Sequence, residues 1–208
     1  MRGPAWPNPR AIARAAGAVK RRAGRLAAAG WLVAVALAGT AVPASAWPPP
    51  GSYVVAGEVE QSVLVSTADM VQQLGSLPVP VHTVTVSFIG PSGPEQHTFT
   101  GVLLYDSLTF LGPLFDPTVK NDKLRFYIAT TGSDGYQAIV AWGEIDPSFE
   151  NKGVLLAFIQ DGQSLAATGP RLVVPNDIHG GRYVSDIVSI RLERVPPDPV
   201  VQFLPFPP

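Results

Sequence analysis

The reading turns on Leu155–Ile187, LLAFIQDGQSLAATGPRLVVPNDIHGGRYVSDI. Val154–Ile159 is a nearly unbroken apolar run of strand length. Asp161-Gly162 after it is a two-residue turn of the kind that requires positive φ, so the chain reverses there as a hairpin. Pro170–Pro175 is a second strand, with Arg171 set among apolar residues. His179-Gly180-Gly181-Arg182 then makes a glycine-rich loop, and Tyr183–Leu192 resumes in strand pattern. The span carries the features of one wall of a small-ligand site.

Working outward, the rest of the chain supplies partners for these strands. Tyr53–Val59 and Gln61–Val65 read as the first two. Ser66 or Thr67 caps a short helix with Asp69 in its first turn and Gly75 near its end. Val81–Ile89 (VHTVTVSFI) alternates and is rich in β-branched residues, and Gln96–Leu104 follows across the turn Gly90–Pro94. Leu104–Leu111 forms a short helix. Leu124–Thr131 and Tyr136–Trp142 make a second hairpin around Gly132–Gly135, and Gly143–Gly153 is polar and irregular. Strands dominate, and their spacing is too tight for βαβ units. The fold class is α+β, β-dominant.

The first 46 residues read as an export signal rather than as part of the fold. Seven basic residues and no acid precede Leu26. Leu26–Val42 is apolar or small, and Ala44-Ser45-Ala46 gives a small-x-small cleavage site. The apolar run is short and rich in Ala and Gly for a span of about 20 residues. Arg21-Arg22 allows export in the folded state as well as by the ordinary secretory route. The expected location is the periplasm, the cell envelope or the extracellular space. Residues 47–52 (WPPPGS) form a stiff lead-in, 53–195 one domain, and 196–208 a proline-rich tail.

Removing the signal changes the charge. Seven of the fifteen basic residues leave with it, so residues 47–208 carry eight against all sixteen acids, a formal net charge of −8. This excludes nucleic acid and anionic membrane as natural partners. The chain has no cysteine. Burial and hydrogen bonding must therefore hold the fold, and no thiolate is present to ligate a metal.

Eight pieces in order resemble the molybdopterin-binding domain of the sulfite oxidase family, in its small exported bacterial form. They run from Val55-x-Gly57-x-Val59 through the Asp69 helix, Leu77-Pro78, and Thr98–Leu104 with Asp106 and Leu108. Asp134-Gly135-Tyr136 and Leu155–Phe158 with Asp161-Gly162 and Leu165 come next. Gly169–Pro175, around Arg171, and Gly180–Val184 complete the set. The resemblance covers Tyr53–Glu193 and implies a mixed-sheet sulfite-oxidase-type fold. It implies molybdopterin as the cofactor, or none, held by Arg171, Gly180, Gly181, Arg182 and Tyr136. The departures are equally definite. Where the family's metal-ligating cysteine aligns, near Ser87-Phe88-Ile89, this chain has none. Thr168 replaces a histidine and Ser185 a lysine. Sulfite-type chemistry is therefore not expected, and no catalytic or metal-ligating residue is assigned.

Taken singly, these residues leave alternatives open. Arg171 suits an anionic ligand, since a buried guanidinium needs a carboxylate or phosphate, or an internal ion pair with an acid such as Asp106 or Asp177. Gly180-Gly181 can bring amides close to an anion, with Arg182 beside them, or the segment is a plain loop. Tyr136 can donate to an oxyanion or simply sit half-buried on a strand. His179 reads as a solvated loop histidine. His82 and His97 on adjacent arms make a poor metal site. Asp116, Asp122, Asp146 and Glu150 read as a solvated face. Two functions follow: a cofactor-dependent or relic oxidoreductase domain that binds a pterin or other phosphate-bearing ligand, and a cofactor-free binding or interaction domain.

Overall fold

In a computed structural model, which describes residues 48–196, ten strands form two five-stranded sheets. The strands are β1 (Ser52–Gly57), β2 (Val63–Ser66), β3 (Val81–Gly90), β4 (Gly93–Leu103), β5 (Phe126–Gly132), β6 (Gln137–Ala141), β7 (Leu155–Gln160), β8 (Gln163–Ser164), β9 (Arg171–Val173) and β10 (Ile187–Arg194). Short helices α1 (Thr67–Gln73), α2 (Leu104–Phe110) and α3 (Trp142–Ile145) join them. The readings of residues 1–46 and of the tail from 197 onward lie outside the described residues.

The first sheet runs β2-β1-β10-β5-β6. Its β1–β10 pair is parallel, Val54 opposite Ser189, while the other pairs are antiparallel, which makes the sheet mixed. The second sheet runs β3-β4-β7-β8, with β9 also paired to β7. The expected class, α+β and β-dominant, is the class observed.

The apolar run of the opening stretch is explained by burial on both faces of β7. Leu156 and Phe158 enter the main core with Tyr53, Phe126, Ile128 and Ile190 from the first sheet. Leu155 and Ala157 point the other way, into a smaller cluster with Val86, Phe88, Phe99, Val173 and Tyr183. A strand covered on both sides shows no alternation. The Asp161-Gly162 turn has φ of 50° and 76°, as a tight hairpin of this length requires. Ser66 caps α1 by accepting from the Asp69 N–H at 3.3 Å.

Three expectations are corrected. Trp142–Ile145 is helical rather than the end of a strand and the start of an irregular loop. Glu144 Oε2 accepts the Ala141 N–H at 2.8 Å, and the Trp142 indole donates to Asp146 at 3.0 Å, so side chains satisfy this turn. The last strand begins at Ile187, not Tyr183. Gly180–Arg182 forms a 3-10 turn, and Asp186 takes φ 49°, which breaks an extended path. The presumed solvated acids divide: Glu150 is exposed, but Asp122 and Asp146 are buried. Asp122 is held by Arg125 and by the Asp116 N–H, and Asp146 by Lys123 at 2.6 Å and the Ser148 N–H at 2.7 Å. Burial alone would raise the Asp146 pKa. Lys123, Ser148 and Trp142 outweigh it and bring the carboxyl down to about 2.

Candidate functional site

Two of the sequence-predicted residues, Arg171 and Gly180, reach the small cluster on the outer side of the second sheet. Its base is set by register. Ala157 on β7 pairs with Arg171 on β9, and Phe99 on β4 pairs with Gln160. Arg171 is thereby carried onto the outer side of β7, half-buried, with its guanidinium 5.8 Å from the centre of the Phe99 ring. Nη1 donates to Gln160 Oε1 at 3.1 Å, and Nε is buried with no partner. Neither Asp106 nor Asp177 pairs with it, and among the described residues no carboxylate lies at salt-bridge distance. Burial, the largest effect, lowers its pKa, while the charges of Glu95 and Asp186 act in the other direction. The charge is partly desolvated and has no ion pair among the described residues.

Arg182 is in the opposite condition. Nε and Nη2 grip Asp177 in a two-pronged pair, both at 2.7 Å, and Nη1 donates to Glu144 Oε1 at 2.9 Å. Lys152 joins from the far side, 3.2 Å from Asp177 and 3.8 Å from Glu144. The Asp177 hydrogen bonds raise the Arg182 pKa, and Arg182 in turn lowers that of Asp177. Three of the five guanidinium donors are thus spent on the protein's own acids.

The loop between them is packed rather than open. Tyr136 is half exposed, yet its hydroxyl donates to the Gly181 carbonyl at 2.5 Å. Phe88 stacks on Tyr183 with ring centres 4.4 Å apart. A Cβ on Gly180 would lie 2.8 Å from the Phe88 ring, so only glycine lets that ring close onto the loop. Ile89 bridges His179, and its N–H donates to the Ile178 carbonyl at 2.8 Å. Beside this contact lies an open groove of about 370 Å³, lined by Ser87, Phe88, Ile89, Glu95, Asp177 and Ile178 among others. Neither arginine lines it.

The two strand histidines do not meet. His82 pairs with Gly101 and His97 with Val86, four residues away along β3 or roughly 13 Å. Among the described residues no group of three His, Cys, Asp or Glu could hold a metal ion. His97 instead joins a side-chain chain that the sequence reading missed. Nδ1 lies 2.7 Å from Asp161, Nε2 lies 3.3 Å from Glu95, and Gln160 stands 3.4 Å away. Glu95 and His97, two apart on one strand, share a face, and that spacing was the available signal. Tyr183 was also passed over as a strand residue. Its hydroxyl is buried without a partner, and burial raises its pKa.

No family model matches the chain, and no curated protein does. Among solved structures it is similar to the sulfane dehydrogenase SoxCD from Paracoccus pantotrophus. The TM-score is 0.50 and the identity 18%, over 68% of this chain and 38% of that one. The chain therefore spans well under half of that neighbour, and the likeness is a distant one of fold.

The residues present do not match the ligand set that a metal-bearing molybdopterin group would need. The strand end that should offer a thiolate instead presents Phe88, whose ring is packed between Tyr183 and the Gly180 backbone. The arginine expected at the phosphate is neutralised by Asp177 and Glu144. Of the two arginines, Arg171 keeps the chemistry of an anion-binding group.

Proposed function

We propose that this chain is an exported binding domain of sulfite-oxidase-like fold that takes a small anionic, phosphate-class ligand at Arg171 and carries no metal-based redox chemistry. The observation that carries this reading is the Arg171 guanidinium, partly desolvated, its Nε buried and unpartnered, with no carboxylate among the described residues at salt-bridge distance. A partly desolvated cation without an ion pair gains from an anion that arrives from outside. Phosphate and sulfate suit the planar fork. Tyr183, also buried and unpartnered at its hydroxyl, supplies a second donor nearby.

The test has two arms. Protein recovered from its exporting host, in cells that make the cofactor, is expected to contain neither molybdenum nor tungsten nor releasable pterin. Inorganic phosphate is expected to raise the melting temperature, and Arg171→Met to abolish that rise. Stoichiometric metal with pterin would overturn the proposal and establish the second reading, a cofactor-dependent oxidoreductase, which the fold likeness to a sulfane dehydrogenase favours. A phosphate effect that survives Arg171→Met would place the anion elsewhere.

A further inference from the structure

Among the described residues, one strand of the second sheet has an edge that is largely unprotected. Among the described residues β3 pairs along its length with β4 only. Among the same residues the other side is met only at its end, where Ile178 and His179 engage Ile89. The turn closing β3–β4 has Gly90 opposite Gly93 across two residues, so the even-numbered residues of β3 exchange hydrogen bonds with β4. Thr83, Thr85 and Ser87 therefore turn their N–H and C=O groups outward, in phase with Ile89, whose N–H leaves the sheet toward Ile178. Six backbone groups in a row look away from the fold.

Exposed edges of this length are normally blunted by lysine, other charges, proline or a bulge. The ten residues of β3, VHTVTVSFIG, contain no charged residue and no proline, and their pairing with β4 has no bulge. The sequence is also close to a palindrome about Thr85. Val84 mirrors Val86, Thr83 mirrors Ser87, His82 mirrors Phe88, and Val81 mirrors Ile89. Such a pattern matters when a strand lies antiparallel to itself, because each residue then meets its mirror.

We propose that two copies of this chain associate through β3, antiparallel across a two-fold axis at Thr85. In that register Thr85 faces Thr85 of the second copy, and Thr83 faces Ser87. These are the residues whose backbone groups point outward, so register and hydrogen-bonding phase agree. Val84 meets Val86 on the face of the small cluster, and the pairing ends at Thr83 and Ser87, because Ile178 and His179 already occupy the edge beside Ile89. The contact is isologous and closes as a dimer. It is also free of like-charge repulsion. Residues 47–208 are net acidic, and two copies repel wherever acids face each other, whereas this strand places none at the seam. The inference is independent of the ligand at Arg171.

The cysteine-free chain allows a direct test. Directly opposed residues in a hydrogen-bonded antiparallel pair have Cα atoms about 5.5 Å apart, within the roughly 4.4–6.8 Å that a disulfide spans. Thr83 is offset from Thr83 of the second copy by four residues, roughly 13 Å. On oxidation of the full chain, Thr85→Cys is expected to run as a covalent dimer on a non-reducing gel and Thr83→Cys is not. The unmodified chain is expected to sediment at twice its mass as concentration rises. Thr85→Lys, which sets two like charges at the axis, is expected to return it to the monomer with an unchanged circular dichroism spectrum. Equal crosslinking by the two cysteine variants overturns the register. A dimer that Thr85→Lys does not disperse overturns the surface. A monomer at every concentration overturns the proposal. In that monomer, slow amide exchange at Thr83, Thr85 and Ser87 would assign the edge to residues 1–47 or 197–208 of the same chain.

Discussion

Arg171 and Arg182 sit eleven residues apart in one stretch and have opposite fates. Arg182 lies on a loop, where it could have been a solvated side chain, and it is the better neutralised of the two. Asp177 and Glu144 hold three of its donors and Lys152 closes the network. Arg171 lies on a strand in apolar surroundings, where a pair was most needed, and it has one neutral hydrogen bond. A carboxylate near a guanidinium converts charge into rigidity. Its absence leaves charge available for something else. The loop arginine is a structural clamp, and the strand arginine is the one with binding capacity to spare.

Four measurements press on that contrast. Arg182→Met should be the most costly, about 2 kcal/mol in chemical denaturation, because it strands two partly buried carboxylates and Lys152 cannot hold both. Acid should act on the same clamp. Asp177 has a lowered pKa in the folded state, so its contribution is present above its unfolded value of 3.8 and is lost as pH falls below that. A melting profile with no decline below about pH 4 would contradict the clamp. Arg171→Met should cost nothing or stabilise by about 1 kcal/mol, since it replaces a desolvated cation by an apolar side chain of similar length. A loss as large as that of Arg182→Met would erase the distinction. Tyr136→Phe should show the smallest effect, about 0.5 kcal/mol, because its bond to the Gly181 carbonyl is made by an exposed ring.

Much of the fold was legible because strand periodicity and turn chemistry are local. The β3–β4 hairpin, the Asp161-Gly162 turn, the Ser66 cap and the strand following Pro170 all stand where composition puts them. Helix α3 was not legible. Its four residues contain no helical period, and its stability comes from Glu144 and from Asp146, which draws on Lys123 more than twenty residues earlier. The burial of Asp122 and Asp146 was hidden for the same reason. The candidate site was legible in its residue list and not in its wiring. Arg171 and Arg182 were singled out for one chemistry, and their difference depends on where Asp177, Glu144 and Lys152 come to rest. The Glu95–His97–Asp161 chain joins β4 to the turn after β7, a contact across more than sixty residues that spacing alone does not reveal.

The parallel pairing of β1 with β10 has a consequence for how the molecule comes into being. β10 is the middle strand of its sheet, and its partner β1 is made about 135 residues earlier, Val54 opposite Ser189. Until the last strand is synthesised, β1–β2 and β5–β6 are two separate ribbons with nothing between them. A ribosome stalled before Ile187 would release a chain missing the centre of its first sheet rather than an edge. Assembly must therefore wait for nearly the whole domain, and a closing contact of such long range is slow to find.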